Sequence, residues 1–245
     1  MKSIFTIIFV HLLIVLLTAQ SLTPEQIIQK VDQNLNFKSA ITISEMEIFG
    51  VRGKRTIKAK SWSQGRDRAF TEYLAPAREK GTKMLKLGNE LWIYSPQADR
   101  IIKIAGHMLR QSVMGSDLSY EDFMENESLL DDYTAQLVTM DTVKQRPCFV
   151  LELTAKRSDV SYFKRKIWVD RQRFIPLKEE LFASSGKILK NMEILKVEKM
   201  GRRWYPKEIR FKDMMKEGKG TIFRILKIQF DVNIPPYIFS KASLK

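Results

Sequence analysis

Three carboxylates lie close together in the stretch RQSVMGSDLSYEDFMEN, which runs from Arg110 to Asn126. Asp117, Glu121 and Asp122 are residue types that bind divalent cations or act as general acids and bases. A calcium-binding loop needs regularly alternating oxygen ligands and a central glycine. Here Gly115 precedes the acids, and large apolar residues separate them. The spacing therefore disfavours both a metal site and a catalytic pair.

The same stretch has the pattern of a short capped helix with an apolar underside. Ser119 and Asp122 have the spacing of a capping box. Tyr120, Phe123 and Met124 follow at i, i+3 and i+4, which places them on one face of a helix. On this geometry we expect the carboxylates to face water and the apolar side chains to face the protein interior.

Other groups that support catalysis are scarce. The single cysteine, Cys148, lies in an apolar run and has no partner for an internal disulfide, so a buried structural thiol is expected. Of the two histidines, His11 falls in the N-terminal apolar run, which leaves His107. No G-x-S-x-G motif occurs. We expect no catalytic residue, no metal and no cofactor, and a hydrolase acting on envelope lipids is the enzymatic alternative.

The N-terminus and the net charge indicate where the chain works. The sequence predicts a secretory signal peptide over residues 1–20. A basic residue, Lys2, is followed by the apolar run Ile4–Leu17 and then by the small or polar residues Thr18–Ser21. An uncleaved anchor is the alternative. The formal net charge is +14, which favours polyanionic partners. If the chain is exported to the periplasm, nucleic acid is excluded as a partner, and the remaining polyanionic partners are anionic lipid and acidic protein surfaces.

A helix is expected at the start of the mature chain. Thr23 suits an N-cap, Pro24 suits the first helical position, and Gln26 completes a capping box. The apolar residues that follow fall on one stripe: Ile27, Ile28, Val31 and Leu35. This helix should pack against a sheet.

After the helix the pattern changes to period two. In KRTIKAKSWSQ, Lys54, Lys58 and Lys60 point one way, whereas Ile57 and Ala59 point the other. About a dozen such short runs follow, separated by turn residues, which predicts one large curved antiparallel sheet or barrel. We expect the three lysines to form a docking face for anionic lipid or an acidic partner, with solubility as the alternative role.

Several longer segments resemble one family in their order and content: LWIYSPQADRIIKI, MGSDLSYEDF, RPCFVLEL, IWVDRQRFIPLKEELFASSGKILK, GRRWYPKEIRFKDMMKEGKGTIFRILKIQFDV and IPPYIFS. They are similar to outer-membrane lipoprotein-sorting proteins, the exported carriers related to the periplasmic lipoprotein chaperone LolA. The resemblance covers nearly the whole mature chain, residues 21–245. It implies a mainly β fold, an unclosed LolA/LolB-like β-barrel with helices across its open side, and a concave interior that binds acyl chains.

The resemblance also suggests a lid and its contacts. In the best-known carriers an arginine on an early strand contacts the lid, and the early arginines here are Arg52, Arg55, Arg66 and Arg68. We assign the lid to Arg110–Asn126. The expected pocket and lid residues are Trp92, Tyr94, Met108, Met114, Leu118 and Phe123. Leu91 and Ile93 are the alternative to Trp92 and Tyr94, because the sequence leaves the strand parity open.

These expectations combine into one function and one alternative. The chain is expected to be a periplasmic carrier that binds acyl chains of lipoproteins or lipids and delivers them towards the outer membrane. Its partners would be an inner-membrane transporter and an outer-membrane acceptor. The alternative is an accessory protein of an inner-membrane exporter or envelope assembly that carries no lipid, because fold does not fix function.

Overall fold

A computed structural model describes residues 22–51, 53–124, 128–201 and 203–245. The predicted signal peptide, residues 1–20, lies outside the described residues. Arg52 and the end of the lid, residues 125–126, lie outside them as well. Within the described ranges, no helix has the length and apolar character needed to cross a membrane.

Most of the described chain forms one antiparallel sheet of thirteen strands. In chain order the strands are β1 (Ser39–Gly50), β2 (Gly53–Gln64), β3 (Arg68–Ala75), β4 (Lys83–Leu87), β5 (Glu90–Ser95), β6 (Arg100–Ile104), β7 (Tyr133–Val143), β8 (Arg146–Ala155), β9 (Lys164–Asp170), β10 (Pro176–Phe182), β11 (Ile188–Met200), β12 (Arg203–Asp213) and β13 (Gly220–Phe230). The spatial order is β6-β5-β4-β3-β2-β1-β13-β12-β11-β10-β9-β8-β7. The sheet is therefore two meanders joined where β1 pairs with β13, with β6 and β7 at its edges. The predicted mainly β, unclosed fold is confirmed.

Helix α1 (Pro24–Leu35) forms as the sequence predicts. Thr23 Oγ1 accepts from the Gln26 backbone N–H at 3.2 Å, and Gln26 Oε1 accepts from the Thr23 N–H at 3.0 Å. Ile27, Ile28 and Val31 are buried in a cluster with apolar residues of β7, β8 and β9. The helix contacts both β7 and β12, which are five positions apart in the sheet. The sheet must therefore curve around α1.

The outer face of β3 to β5 is covered by the C-terminal tail, residues 231–245. Ile234, Phe239 and Leu244 of the tail are buried against Leu85 and Trp92. Side chains alternate between the two faces of a strand, so the neighbours of these residues face the opposite side, towards the concave interior. The tail thus leaves that interior to the segment between β6 and β7, which contains the lid and the short helix α2 (Leu129–Asp132).

Candidate functional site

The lid is built from short 3₁₀ turns rather than one helix. Such turns span Gly106–Arg110, Val113–Gly115 and Tyr120–Phe123, and a bridge pairs Ser112 with Ser119. The predicted capping box is present, because Asp122 accepts from the backbone N–H of Ser119. The predicted short helix is confirmed as a single 3₁₀ turn.

Apolar side chains of the lid pack onto the inner side of the sheet. Val113 and Leu118 are buried with Met46, Ile48 and Ile57 of β1 and β2. The partly buried residues that pack against this cluster are Met114, Tyr120, Phe123, Phe211 and Phe223. Leu118 and Phe123 therefore lie on the underside of the lid, as the sequence pattern predicts.

In β5, the residues that face the interior are Leu91 and Ile93, the alternative to Trp92 and Tyr94. Leu91 is buried with Met84 and Ile104, and Ile93, Met108, Leu109 and Phe123 are among the residues that pack against them. Trp92 and Tyr94 instead belong to the cluster beneath the C-terminal tail. Their placement in the wall of the cavity is wrong, because alternation sends them to the outer face. Leu91 and Ile93 take the inner positions.

The lid carboxylates do not face water as a group. Asp122 lies 2.5 Å from Lys190 Nζ and accepts from the Tyr162 hydroxyl at 2.5 Å. Asp117 is 6% exposed and accepts from Thr221 Oγ1 at 2.8 Å and from the Asp213 backbone N–H at 3.0 Å. The expectation of solvent-facing acids is therefore wrong for both. β11, β12 and β13 supply partners to these acids through Lys190, Asp213 and Thr221.

Glu121 is half-buried between these contacts and the surface. Burial raises the pKa of its carboxyl, and the neighbouring Asp122 raises it further. The three acids therefore act as a set of polar attachments along one side of the lid. Among the described residues, no group of three or more His, Cys, Asp or Glu side chains is arranged to hold a metal ion.

Two cationic side chains also fasten the lid, mainly through its backbone carbonyls. The guanidinium of Arg55, on β2, donates to the carbonyl oxygen of Met114. Lys216, in the β12–β13 turn, donates to Ser112 Oγ and to the carbonyl of Ser116. Of the three early arginines that the structure describes, Arg55 is thus the one that contacts the lid.

Two of the remaining early arginines have other positions. Arg66 forms an ion pair with Asp32 of α1 at 3.1 Å and donates to Asn36 Oδ1 at 2.8 Å. Arg68 is exposed and lines the cavity next to α1. Arg66 therefore ties α1 to the β2–β3 turn rather than to the lid.

Two mainly apolar cavities lie inside the curved sheet. The first, of about 270 Å³, is lined by Leu118, Phe123, Tyr162, Leu181, Met192, Ile209, Phe211 and Phe223 together with Asp122, Arg165, Glu179, Lys190 and Asn191. The second, of about 380 Å³, extends towards α1, and its apolar lining includes Ile28, Val31, Leu35, Phe37, Phe123, Leu129 and Ile167. Asp122 and Phe123 of the lid line both cavities. They therefore lie where the two cavities meet, together with Arg165, Glu179 and Met192 of the sheet.

A buried ion pair lies at the boundary of the two cavities. Arg165 Nη1 is 3.2 Å from Glu179 Oε1, and the side chains are 6% and 10% exposed. Burial raises the pKa of the Glu179 carboxyl, and the charge of Arg165 offsets part of that rise. Nothing in the sequence pattern distinguished this pair, because each residue is one of three consecutive charged residues, 164–166 in β9 and 178–180 in β10.

The expected docking face on β2 is already matched with acids. Lys54 is paired with Glu47, and Lys58 lies 3.8 Å from Glu45. Lys54 and Arg224 hold the pKa of the Glu47 carboxyl below its usual value. Lys60 lies over the ring of Trp62 at 4.6 Å. This face is therefore a ladder of charge pairs across β2, β1 and β13, and a role in docking stays a prediction.

Comparisons with known proteins place this geometry in a family. A protein-family model with the description "-like: Uncharacterized protein" matches residues 65–245. A search of curated proteins gave no match.

Solved structures share the fold over almost the whole chain. A DUF1329 family protein from Desulfovibrio piger is 23% identical with a TM-score of 0.82, over 89% of this chain and 96% of the other. A candidate outer membrane lipoprotein-sorting protein domain from Vibrio parahaemolyticus is 21% identical with a TM-score of 0.80, over 91% and 97%. A LolA superfamily protein from Nitrosomonas europaea is 22% identical with a TM-score of 0.74, over 91% and 100%. The chain therefore belongs to the family that the matching model defines, and it has the LolA-like fold of lipoprotein-sorting proteins, as its sequence segments predicted.

Proposed function

We propose that this protein is a periplasmic carrier that binds acyl chains of lipoproteins or lipids inside its curved sheet. The observation that carries the proposal is the pair of apolar cavities that meet at Phe123 and are covered by the lid. The LolA-like fold supports it, since LolA superfamily and lipoprotein-sorting proteins share that fold. The proposed role needs no catalytic group.

The energetic reason for such a carrier is the cost of exposing hydrocarbon. Transfer of an acyl chain into water costs about 0.8 kcal/mol per methylene, so a chain of ~15 methylenes costs on the order of 12 kcal/mol. An acyl chain bound in the two cavities would contact their apolar side chains instead of water, which would remove most of that cost. Each cavity alone is near the lower end of the roughly 300–1,000 Å³ of known ligand sites. Movement of Phe123 would join the two and make room for a longer chain.

The contacts of the lid suit reversible binding. Met114 of the lid and Met108 just before it pack against the apolar clusters beneath the lid. Methionine side chains adapt to irregular apolar partners. The polar attachments of the lid are contacts to Arg55, Lys190 and Lys216. Opening the lid would exchange the contacts to Arg55 and Lys216 for water, and it would also separate Lys190 from Asp122, a largely buried pair.

Binding of a fluorescent fatty-acyl probe tests the proposal. Phe123→Glu places a charge between the two cavities, which costs several kcal/mol unless the carboxylate reaches water, and should weaken probe binding by about ten-fold or more. Phe123→Leu is the matched control and should retain most of the affinity. Equal binding by the parent and the Phe123→Glu variant would exclude the cavities as the acyl site.

A further inference from the structure

Two turns at one end of the sheet lie side by side. The first joins β1 to β2 around Val51, and the second joins β12 to β13 over residues 214–219. The Lys219 N–H donates to the Phe49 carbonyl at 3.1 Å. Gly218 has φ +94°, and a Cβ there would lie 2.4 Å from the Phe49 oxygen. Only glycine allows the turns to approach so closely, and we call the two turns together the hairpin tips.

The hairpin tips expose apolar side chains that have no role in the core. Val51 is 75% exposed, Met215 is 62% exposed and Met214 is 46% exposed. Exposed apolar residues that cluster at one place indicate an interaction surface. Three such side chains at neighbouring turns form a small cluster, unlike single apolar residues scattered over a surface.

The two turns and the strand ends that flank them also carry five cations. They are Lys54, Arg55, Lys212, Lys216 and Lys219, and the acids at the same turns are Asp213 and Glu217. Asp213 is already engaged, since it accepts from the Met215 N–H at 2.9 Å and lies 3.8 Å from Lys216. Lys54 is paired with Glu47. The hairpin tips therefore keep an excess of positive charge around an apolar centre, a combination typical of surfaces that bind anionic lipid.

Two of these cations also fasten the lid. Arg55 donates to the carbonyl of Met114, and Lys216 donates to Ser112 Oγ and to the carbonyl of Ser116. A phosphate oxygen is charged and accepts stronger hydrogen bonds than a neutral carbonyl does. A lipid head group at the hairpin tips would therefore compete with the lid for the same donors.

We propose that the hairpin tips dock on an anionic phospholipid surface and that docking releases the lid. Val51, Met214 and Met215 enter the interfacial region, while Arg55 and Lys216 exchange the lid oxygens for lipid phosphates. The release step rests on the proposed carrier function, whereas the docking step stands on the hairpin tips alone. A carrier with this coupling would keep its cargo enclosed in water and open at a membrane.

Flotation with lipid vesicles tests the docking step. The protein should bind vesicles of equimolar phosphatidylcholine and phosphatidylglycerol, bind phosphatidylcholine vesicles weakly, and lose binding as salt rises. The triple variant Val51→Ser, Met214→Ser, Met215→Ser should bind at least about ten-fold less. Val138→Ser with Met140→Ser, at an exposed apolar pair on β7, is the matched control and should bind as the parent does. Equal binding by parent and triple variant would overturn the proposal.

Stopped-flow transfer of the fluorescent acyl probe tests the release step. Transfer from the parent should be faster to anionic vesicles than to phosphatidylcholine vesicles. Ser112→Ala removes one acceptor of Lys216 without changing the charge of the hairpin tips, so it should speed release in solution and leave flotation unchanged. Lys216→Gln should speed release in solution and reduce the acceleration by anionic vesicles.

The outcomes separate the two proposals. Transfer rates that do not depend on vesicle charge would overturn the release step even if the probe binds normally. Absence of probe binding in solution would overturn the carrier function, and flotation would then decide the docking step independently. The control Lys196→Gln, whose side chain is paired with Glu198 at 2.6 Å on β11, should behave as the parent in both assays.

Discussion

At the scale of single residues, Asp122 links the lid to two partners outside it, Tyr162 and Lys190. It accepts from Ser119 and Tyr162 and pairs with Lys190, and the side chains of the ion pair are 14% and 10% exposed. Removing one member of a buried pair leaves the other charge uncompensated, at a cost of about 3–5 kcal/mol. We therefore expect Lys190→Met to lower the free energy of unfolding by roughly this amount in urea denaturation. The double variant Lys190→Met with Asp122→Leu should recover part of the loss, and no recovery would contradict the pairing.

Glu179 predicts a particular pH dependence of stability. Burial raises the pKa of its carboxyl above the usual 4.5, so the folded state holds a proton at a pH where the unfolded state has released it. Its contribution to stability is then fully present below the unfolded pKa and is lost as pH rises through the folded pKa. Glu179→Gln mimics the protonated form. The stability of this variant relative to the parent should increase from acidic to neutral pH in urea unfolding, and a constant difference would contradict the raised pKa.

The partners of the lid acids explain why their burial was not predictable. Ser119 and Asp122 are three positions apart, and their capping box follows from local spacing. Thr221 lies 104 residues from Asp117, and Lys190 lies 68 residues from Asp122. Local periodicity has no information on such distant partners, so the acids were expected to face water.

At the scale of elements, the sequence of β2 indicates which of its faces is buried, whereas the sequence of β5 does not. β2 alternates lysines with Ile57 and Ala59, so one face is clearly apolar and its burial was predictable. β5 has large apolar side chains on both faces, because the C-terminal tail covers one and the segment with the lid covers the other. Alternation alone therefore left Leu91 and Trp92 equivalent.

The C-terminal tail covers the outer face of β3 to β5, so a substitution in the tail should change the stability of the protein without changing its affinity for the acyl probe. Phe239 of the tail is 6% exposed, and Phe239→Ala should lower the free energy of unfolding by about 3–5 kcal/mol. Because its cluster lies on the opposite face from the cavities, acyl-probe affinity of the folded variant should match that of the parent. Urea unfolding and probe titration measure the two effects. A selective loss of probe affinity would place the acyl site on the outer face instead.

At the scale of the whole molecule, the sheet order rests on one long-range pairing. β1 pairs with β13 from Ala40 with Phe230 to Phe49 with Gly220, with one register shift between Ile43 and Ser44. The hairpins on either side follow from local turns, but no local pattern predicts this seam, and the family resemblance implied an unclosed barrel without specifying which strands pair. The pairing brings the β1–β2 and β12–β13 turns together beside the lid. It therefore creates both the enclosed cavities and the hairpin tips.

The identity of the molecule bound inside the sheet tests the central claim most directly. We would purify the protein from its own cell envelope in mild conditions and determine its mass by native mass spectrometry, followed by lipid extraction. A carrier should retain an acylated lipid or lipoprotein, and Phe123→Glu should retain less of it than Phe123→Leu. Reproducibly empty protein, with no difference between these variants, would contradict the carrier function and favour an accessory protein of the envelope.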